Sequence, residues 1–424
     1  MFYNRCVFLA LLAGLAMPAQ EAVRPKDVRN VAKAGPNAIP KLQEYLRNPD
    51  VEVRLEAVKQ MVEYGSVPRV IEPLIQATSD NDPEVQVRAT DGLVNFYLPG
   101  YVRTGFGSSL RRVGGSIKGK FTDTNDQVID YYVQVRPDVI AALGKLARGG
   151  VNMDVRANAA RAVGILRGKA AVGDLIEALR SKDSSVIYES LVALQKIRDE
   201  SAAPRIAFLL RDFDPKVQIA AIETTGLLQN KEALPGLVDV LARTRDSKVR
   251  RAALTAIAML PDEKNRPLYA RYLADKDDQL RAAAAEGYAR LKSPADLPML
   301  EKAWNDEPKT HARLSLAFAQ VMLGKTATTE FSPLQYLVNT LNSSAYCGEA
   351  YPFLVELARD PAVRQALYQP MVSGTKDEKV WLARVMARSG DKEAVPYLDK
   401  LSNDADGDVA QEGLRAKRTL QAKQ

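Results

Sequence analysis

Between Ala171 and Ser293 the apolar positions fall into paired runs separated by short polar breaks. In the stretch beginning at Ala171, Leu175, Ile176 and Leu179 share one helical face, and Val186, Leu191, Leu194 and Ile197 share a second. The polar breaks, such as "RDFDPK" and "ADKDDQ", carry the Asp and Pro residues that close a turn and cap the next helix. Four such segments follow one another, from Ala171, Ala202, Ala233 and Arg266. Val186, Val217, Val249 and Leu280 hold one equivalent site at intervals of 31, 32 and 31 residues. A period of this length predicts a repeated helix pair, too small to cover its own apolar face and buried by stacking on its neighbours. Copies extend both ways, from Ala38 and Val70, from Pro137, and in a last clear form from Ala394, with weaker ones over 295–391.

These units share an apolar-Pro-x-Leu first helix, an Asp-bearing turn and Val-Arg-x-x-Ala at the start of the second helix. "NPDVEVRLEAV", "NDPEVQVRAT", "NMDVRANAA", "RDSKVRRAAL" and "DKDDQLRAAAA" carry the pattern best. It resembles HEAT repeats of the short, phycobilisome-lyase-like type, over about residues 38–424. The resemblance implies an all-α fold, a right-handed α-solenoid or armadillo-type superhelix of about ten helix pairs. It also implies a ladder of turn acids and second-helix arginines between neighbouring units. That role maps to Asp50 with Arg54, Asp82 with Arg88, Asp154 with Arg156, Asp246 with Arg250, and Asp277 with Arg281. Tyr188 and Gln218 stand near the arginine position in two copies, so the ladder is expected to break in mid-array.

The repetition stops over 98–136, where one unit's length is replaced by "YVRTGFGSSLRRVGGSIKGKF" and its flanks. Leu110, Val113, Ile117 and Phe121 lie at spacings of 3, 4 and 4, the face of a basic amphipathic segment. Arg103, Arg111, Arg112, Lys118, Lys120 and Phe121 are therefore the candidate partner-binding residues. Gly114, Gly115 and Gly119 weaken any helix there, each by about 1 kcal/mol against alanine. The following "QVIDYYVQV" suits an extended segment covering the exposed end of a helix layer. The alternative is a surface loop clipped to the solenoid by its apolar residues. The expected organisation is a signal peptide at 1–19, a lead-in at 20–37, repeats at 38–97, the insertion at 98–136, repeats at 137–294, and degenerate and C-terminal repeats at 295–424.

Composition changes this picture little: 46% of residues are apolar, and 59 basic against 52 acidic residues leave +7. The N-terminus matters more. Arg5, an apolar run from Cys6 to Ala16 and small residues near Ala19 are laid out as a secretory signal, so the chain is expected to be exported, periplasmic or extracellular. No later run suggests a transmembrane span. Removal of the signal leaves Cys347 as the one thiol, read as a small buried hydrophobe. His311 is the single histidine and is expected on the surface at the start of a second helix, which argues against multi-histidine metal sites and local catalytic triads. "DADGD" at 404–408 lacks the glycine and glutamate that a calcium loop needs and fits a turn with an Asp cap.

No catalytic, cofactor or metal residue is assigned. The expected function is a protein-binding or scaffold solenoid using its concave face and the basic insertion. The alternatives are an envelope-surface binder of anionic lipid or polysaccharide, distinguished by steep salt dependence, and a chromophore-lyase-like enzyme. Nucleic acid is a poor partner for an exported chain.

Overall fold

The computed structural model describes residues 23–102 and 127–423. The expected signal peptide and the candidate partner-binding residues Arg103, Arg111, Arg112, Lys118, Lys120 and Phe121 lie outside them. Helices α1 (Pro25–Ala32), α2 (Ile39–Tyr45), α3 (Val51–Glu63), α4 (Ile71–Ala77) and α5 (Pro83–Tyr97) precede the insertion. After it come α6 (Pro137–Gly149), α7 (Met153–Ile165), α8 (Val172–Ala178), α9 (Ser184–Ile197), α10 (Pro215–Leu227), α11 (Leu234–Arg243) and α12 (Ser247–Ala258). The array continues with α13 (Arg266–Leu273), α14 (Asp278–Leu291), α15 (Leu297–Asp306), α16 (Thr310–Met322) and α17 (Pro333–Thr340). It ends with α18 (Cys347–Leu357), α19 (Pro361–Ser373), α20 (Lys376–Ser389), α21 (Val395–Ser402) and α22 (Gly407–Gln421).

The helices form two layers. Second helices α3, α5, α7, α9, α10, α12, α14, α16, α18, α20 and α22 each pack on the next in that order, and the first helices cover one side of them. The result is an all-α solenoid. Val186, Val217, Val249 and Leu280, the equivalent sites of the sequence repeat, are all buried between the layers. Each contributes about 1.5–3 kcal/mol by leaving water. Between α7 and α9 the approach is closer than side chains permit: a Cβ on Gly164 would lie 2.7 Å from the Cα of Ala193.

Turn chemistry sets where second helices begin. Asp50, Asp82, Asp183, Asp214, Asp246, Asp277 and Asp406 each accept amide hydrogens from the first turn of α3, α5, α9, α10, α12, α14 and α22. These bonds satisfy donors the helix itself cannot. The unit from Ala202 departs from the helix-pair rule. Its first half is two 3-10 segments, Glu200–Arg205 and Ala207–Arg211, although Pro204 stands at the repeat position where Pro235 and Pro267 open the regular helices α11 and α13.

The weaker sequence copies over 295–391 fold as regular pairs α15/α16, α17/α18 and α19/α20. The insertion leaves no gap in the stack. Helix α5 packs directly on α7, and Asn158 donates to the buried Asp91 at 3.1 Å across that contact. No unit of the stack is therefore missing between α5 and α7.

Candidate functional site

Along one edge of the array, arginines near the start of second helices reach forward into the turn of the next unit. Arg54 donates to Asp80 at 2.8 Å, Arg251 to Asp277 at 2.8 Å, and Arg281 to Glu307 through two bonds of 2.7 Å. Lys379 on α20 meets Asp404 at 2.8 Å in the last unit, while Arg364 on the first helix α19 meets Asp391 at 2.5 Å between α20 and α21. The pairings expected from the resemblance are corrected accordingly. Asp50, Asp82 and Asp246 cap helices, Arg88 pairs with Glu84 of its own helix, and Arg250 donates to the Thr244 carbonyl. Arg156 bonds the Ala147 carbonyl, and Asp154 lies within the first turn of α7, whose cap is Asn152. Asp277 both caps α14 and receives the preceding unit's Arg251. At Gln218 the charge is missing and its amide bonds the Leu210 carbonyl.

The free side of the second helices is lined by a different set of groups. Arg161 on α7 donates to Glu189 on α9 at 3.1 Å, and Gln195 donates to Thr224 on α10 at 3.0 Å. Farther on, Arg290 of α14 reaches past α16 to Glu356 of α18 at 2.8 Å, passing over the Phe318 ring. A side chain spans two units in this way only where the array curves towards it. Burial pushes the Glu286 carboxyl up against the pull of Arg290. Phe318 stacks on Phe353 with centroids 4.7 Å apart, and Tyr351 lies 5.2 Å from Trp381. Arg384 beside Trp381 donates to Glu412 on α22.

The segment leaving the insertion closes this surface. The Ile129 amide donates to the Ile165 carbonyl at the end of α7, and Arg167 donates to the Ile129 carbonyl. From that anchor Asp130 accepts from Arg415 on α22 at 2.9 Å, 285 residues away in sequence. Tyr131 accepts from Arg388 at the end of α20 at 3.3 Å. Second helices of early and late units are thereby joined across their free side, which identifies that side as concave. "QVIDYYVQV", expected as an extended segment over the end of a helix layer, is instead a strap without regular structure that runs from α7 to α20 and α22.

Outside the concavity, a cleft of about 640 Å³ between α15 and α17 is lined by Trp304, Arg313, Phe331 and Tyr336 among others. His311 is half-buried, with Nδ1 2.7 Å from a Glu349 oxygen. Cys347, expected to be buried, is only partly so and starts α18 as a free thiol. Asp406 of "DADGD" caps α22, while Lys376 and Lys379 neutralise the motif's acids. Among the described residues no group of three or more His, Cys, Asp or Glu is placed to hold a metal ion, and no helix is long and apolar enough to cross a membrane. The strap's contacts were missed at the sequence level, where only its Tyr and Val content stood out.

A family profile described as HEAT repeats matches residues 10–94, 202–267 and 234–319, and one described as PBS lyase HEAT-like repeat matches 155–181. No curated protein matches the chain. Among solved structures, an engineered protein is 20% identical, covering 90% of this chain and 98% of its own, with a TM-score of 0.37. Importin beta is 12% identical, covering 94% of this chain and 60% of its own, at a TM-score of 0.40. A phycocyanin lyase complex from Nostoc is 18% identical, covering 76% of this chain and 95% of its own, at a TM-score of 0.32.

Proposed function

We propose that this HEAT-repeat protein is a binding scaffold that holds a protein partner along its concave face and acts outside the cytoplasm. The observation that carries the reading is the joining of Asp130 and Tyr131 to α22 and α20, which makes the free side of the second helices an inward-facing surface. Such a surface suits an extended or helical protein segment, because successive units present similar groups at regular intervals. Exposed aromatic edges and arginines are the side chains best suited to anchor it. Tyr351, Trp381 and Arg384 supply both near the C-terminal end.

Support for export comes from the signal-like layout of residues 1–19 alone. Binding without catalysis is part of the proposal, since the single histidine and the capped, salt-bridged acids are all accounted for by structural contacts. The basic run from Arg103 to Lys120 supplies a second contact on the partner or on an anionic envelope component.

Photo-cross-linking tests the reading. A benzophenone amino acid replaces Glu223 on the concave side of α10 or the exposed Met299 on α15 in the outer layer. In the native source, discrete adducts are expected from position 223 and not from 299. Equal adducts from both positions, or adducts from 299 alone, contradict a concave binding face. Loss of adducts on raising salt points to the anionic-envelope contact.

A further inference from the structure

Where the strap meets the last helices, three cations gather around the Tyr131 ring. The Arg167 guanidinium lies 3.8 Å from the Tyr131 ring centre, the Lys423 ammonium 4.8 Å and the Arg388 guanidinium 5.4 Å. Arg198 ends α9 in a left-handed conformation at φ 60°. None of the three makes an ion pair among the described residues, although most arginines of the array do. Arg167 donates to the Ile129 carbonyl, and Lys423 to the carbonyls of Ala387 and Arg388. The nearby Asp130 is engaged by Arg415.

Like charges held this close repel, and the surrounding helices remove part of the water that would screen them. Burial, followed by repulsion from Arg388, Arg359 and Arg167, holds the Arg198 guanidinium below its ordinary value. Burial does the same to Arg167 and Lys423. Burial tends to raise the Tyr131 phenol, yet Arg388, Arg167 and Lys423 outweigh it and hold it low. Such a cluster is stabilised by a bound anion of more than one charge. Guanidinium forks match the oxygens of a phosphate from several directions, and Arg388 and Lys423 keep solvent-exposed surface for it.

We propose that Arg167, Arg388 and Lys423, gathered around Tyr131 at the junction of the strap with α20 and α22, form a binding site for a small phosphate-bearing anion. The bound anion offsets the repulsion and fastens the early units to the late ones. The site is independent of any protein partner on the concave face.

Calorimetric titration of the purified chain with inorganic pyrophosphate at constant ionic strength tests this. Saturable binding is expected, weakened at least tenfold by Arg388→Gln and by Arg167→Gln. Arg211→Gln, which removes an exposed charge elsewhere, is expected to change it less than twofold. Lys423→Gln, in the last described turn, leaves the core untouched and is expected to weaken binding about threefold. Glycerol phosphate and its dihexanoyl lipid then separate the sources: tighter binding of the first assigns a soluble phosphate ester, tighter binding of the second a lipid headgroup. Absence of saturable binding, or an Arg211→Gln effect as large as that of Arg388→Gln, overturns the proposal.

Discussion

Arg281 and Glu307 show what one residue contributes to the repeat. Their two bonds cross from one unit to the next, and the carboxylate is almost wholly buried. Burial works against the Glu307 charge, but Arg281 and the Lys309 amide outweigh it and hold the carboxyl below its usual value. Arg281→Ala leaves that carboxylate without its main partner, and a loss of about 2–3 kcal/mol is expected in urea unfolding. Because the folded value is depressed, the stabilisation is present above the unfolded carboxylate value near 4.3 and lost as pH falls through the folded one. The difference between wild type and Arg281→Ala therefore shrinks below about pH 4; a difference unchanged by acid contradicts the assignment. At Gly164 the limit is space. Gly164→Val forces α7 away from Ala193, and a loss of about 1–3 kcal/mol is expected from the same measurement. The sequence showed that an arginine opens many second helices. It did not show which of these side chains reach forward to the next unit's turn, because Asp80 and Asp82 are equally acidic and only the helix-to-helix offset selects Asp80 for Arg54.

At the scale of elements, the helix pairs and their caps were legible because both are local signals. Asp183 accepts from the Ser185 and Val186 amides, as its place before an apolar run implied. Asp183→Ala is expected to lower stability by about 1 kcal/mol, whereas Asp183→Asn, which keeps the accepting oxygen, is expected to cost only a fraction of that. Equal losses would mean that charge, not the cap bond, matters at the start of α9. The degenerate stretch over 295–391 was harder to read. There Trp304, Tyr336, Tyr351, Phe353 and Trp381 take the places of small aliphatic residues, hiding the period while preserving the packing. The 3-10 segments before α10 were not legible, because Pro204 stands where Pro235 and Pro267 open α11 and α13 and no local pattern sets this unit apart.

For the whole molecule, the decisive contacts are those least visible in a linear chain. Asp130 and Arg415 are separated by most of the array, and no local pattern links them. What brings them together is the accumulated curvature of many units, which sequence periodicity does not specify. The solenoid is thus a curved array whose early and late units are strapped across the concave side, and the strap springs from the insertion that breaks the repeat. Breaking the strap should loosen the ends without melting the units. Arg415→Ala is expected to keep its helical circular dichroism while hydrogen exchange of the Ile129 amide, bonded to Ile165, accelerates at least tenfold.

The most direct test is the distance across the gap. Spin labels at Gln134→Cys and Gln421→Cys, with Cys6 and Cys347 replaced by Ser, report on the strap and on the end of α22. Tyr131 and Lys423 touch, and each labelled position is only two or three residues from one of them. The account predicts a narrow distribution within about 30 Å, which broadens and lengthens in Arg415→Ala. A broad distribution extending well beyond that range in the parent protein, unchanged by Arg415→Ala, would contradict the closed solenoid and the concave binding face built on it.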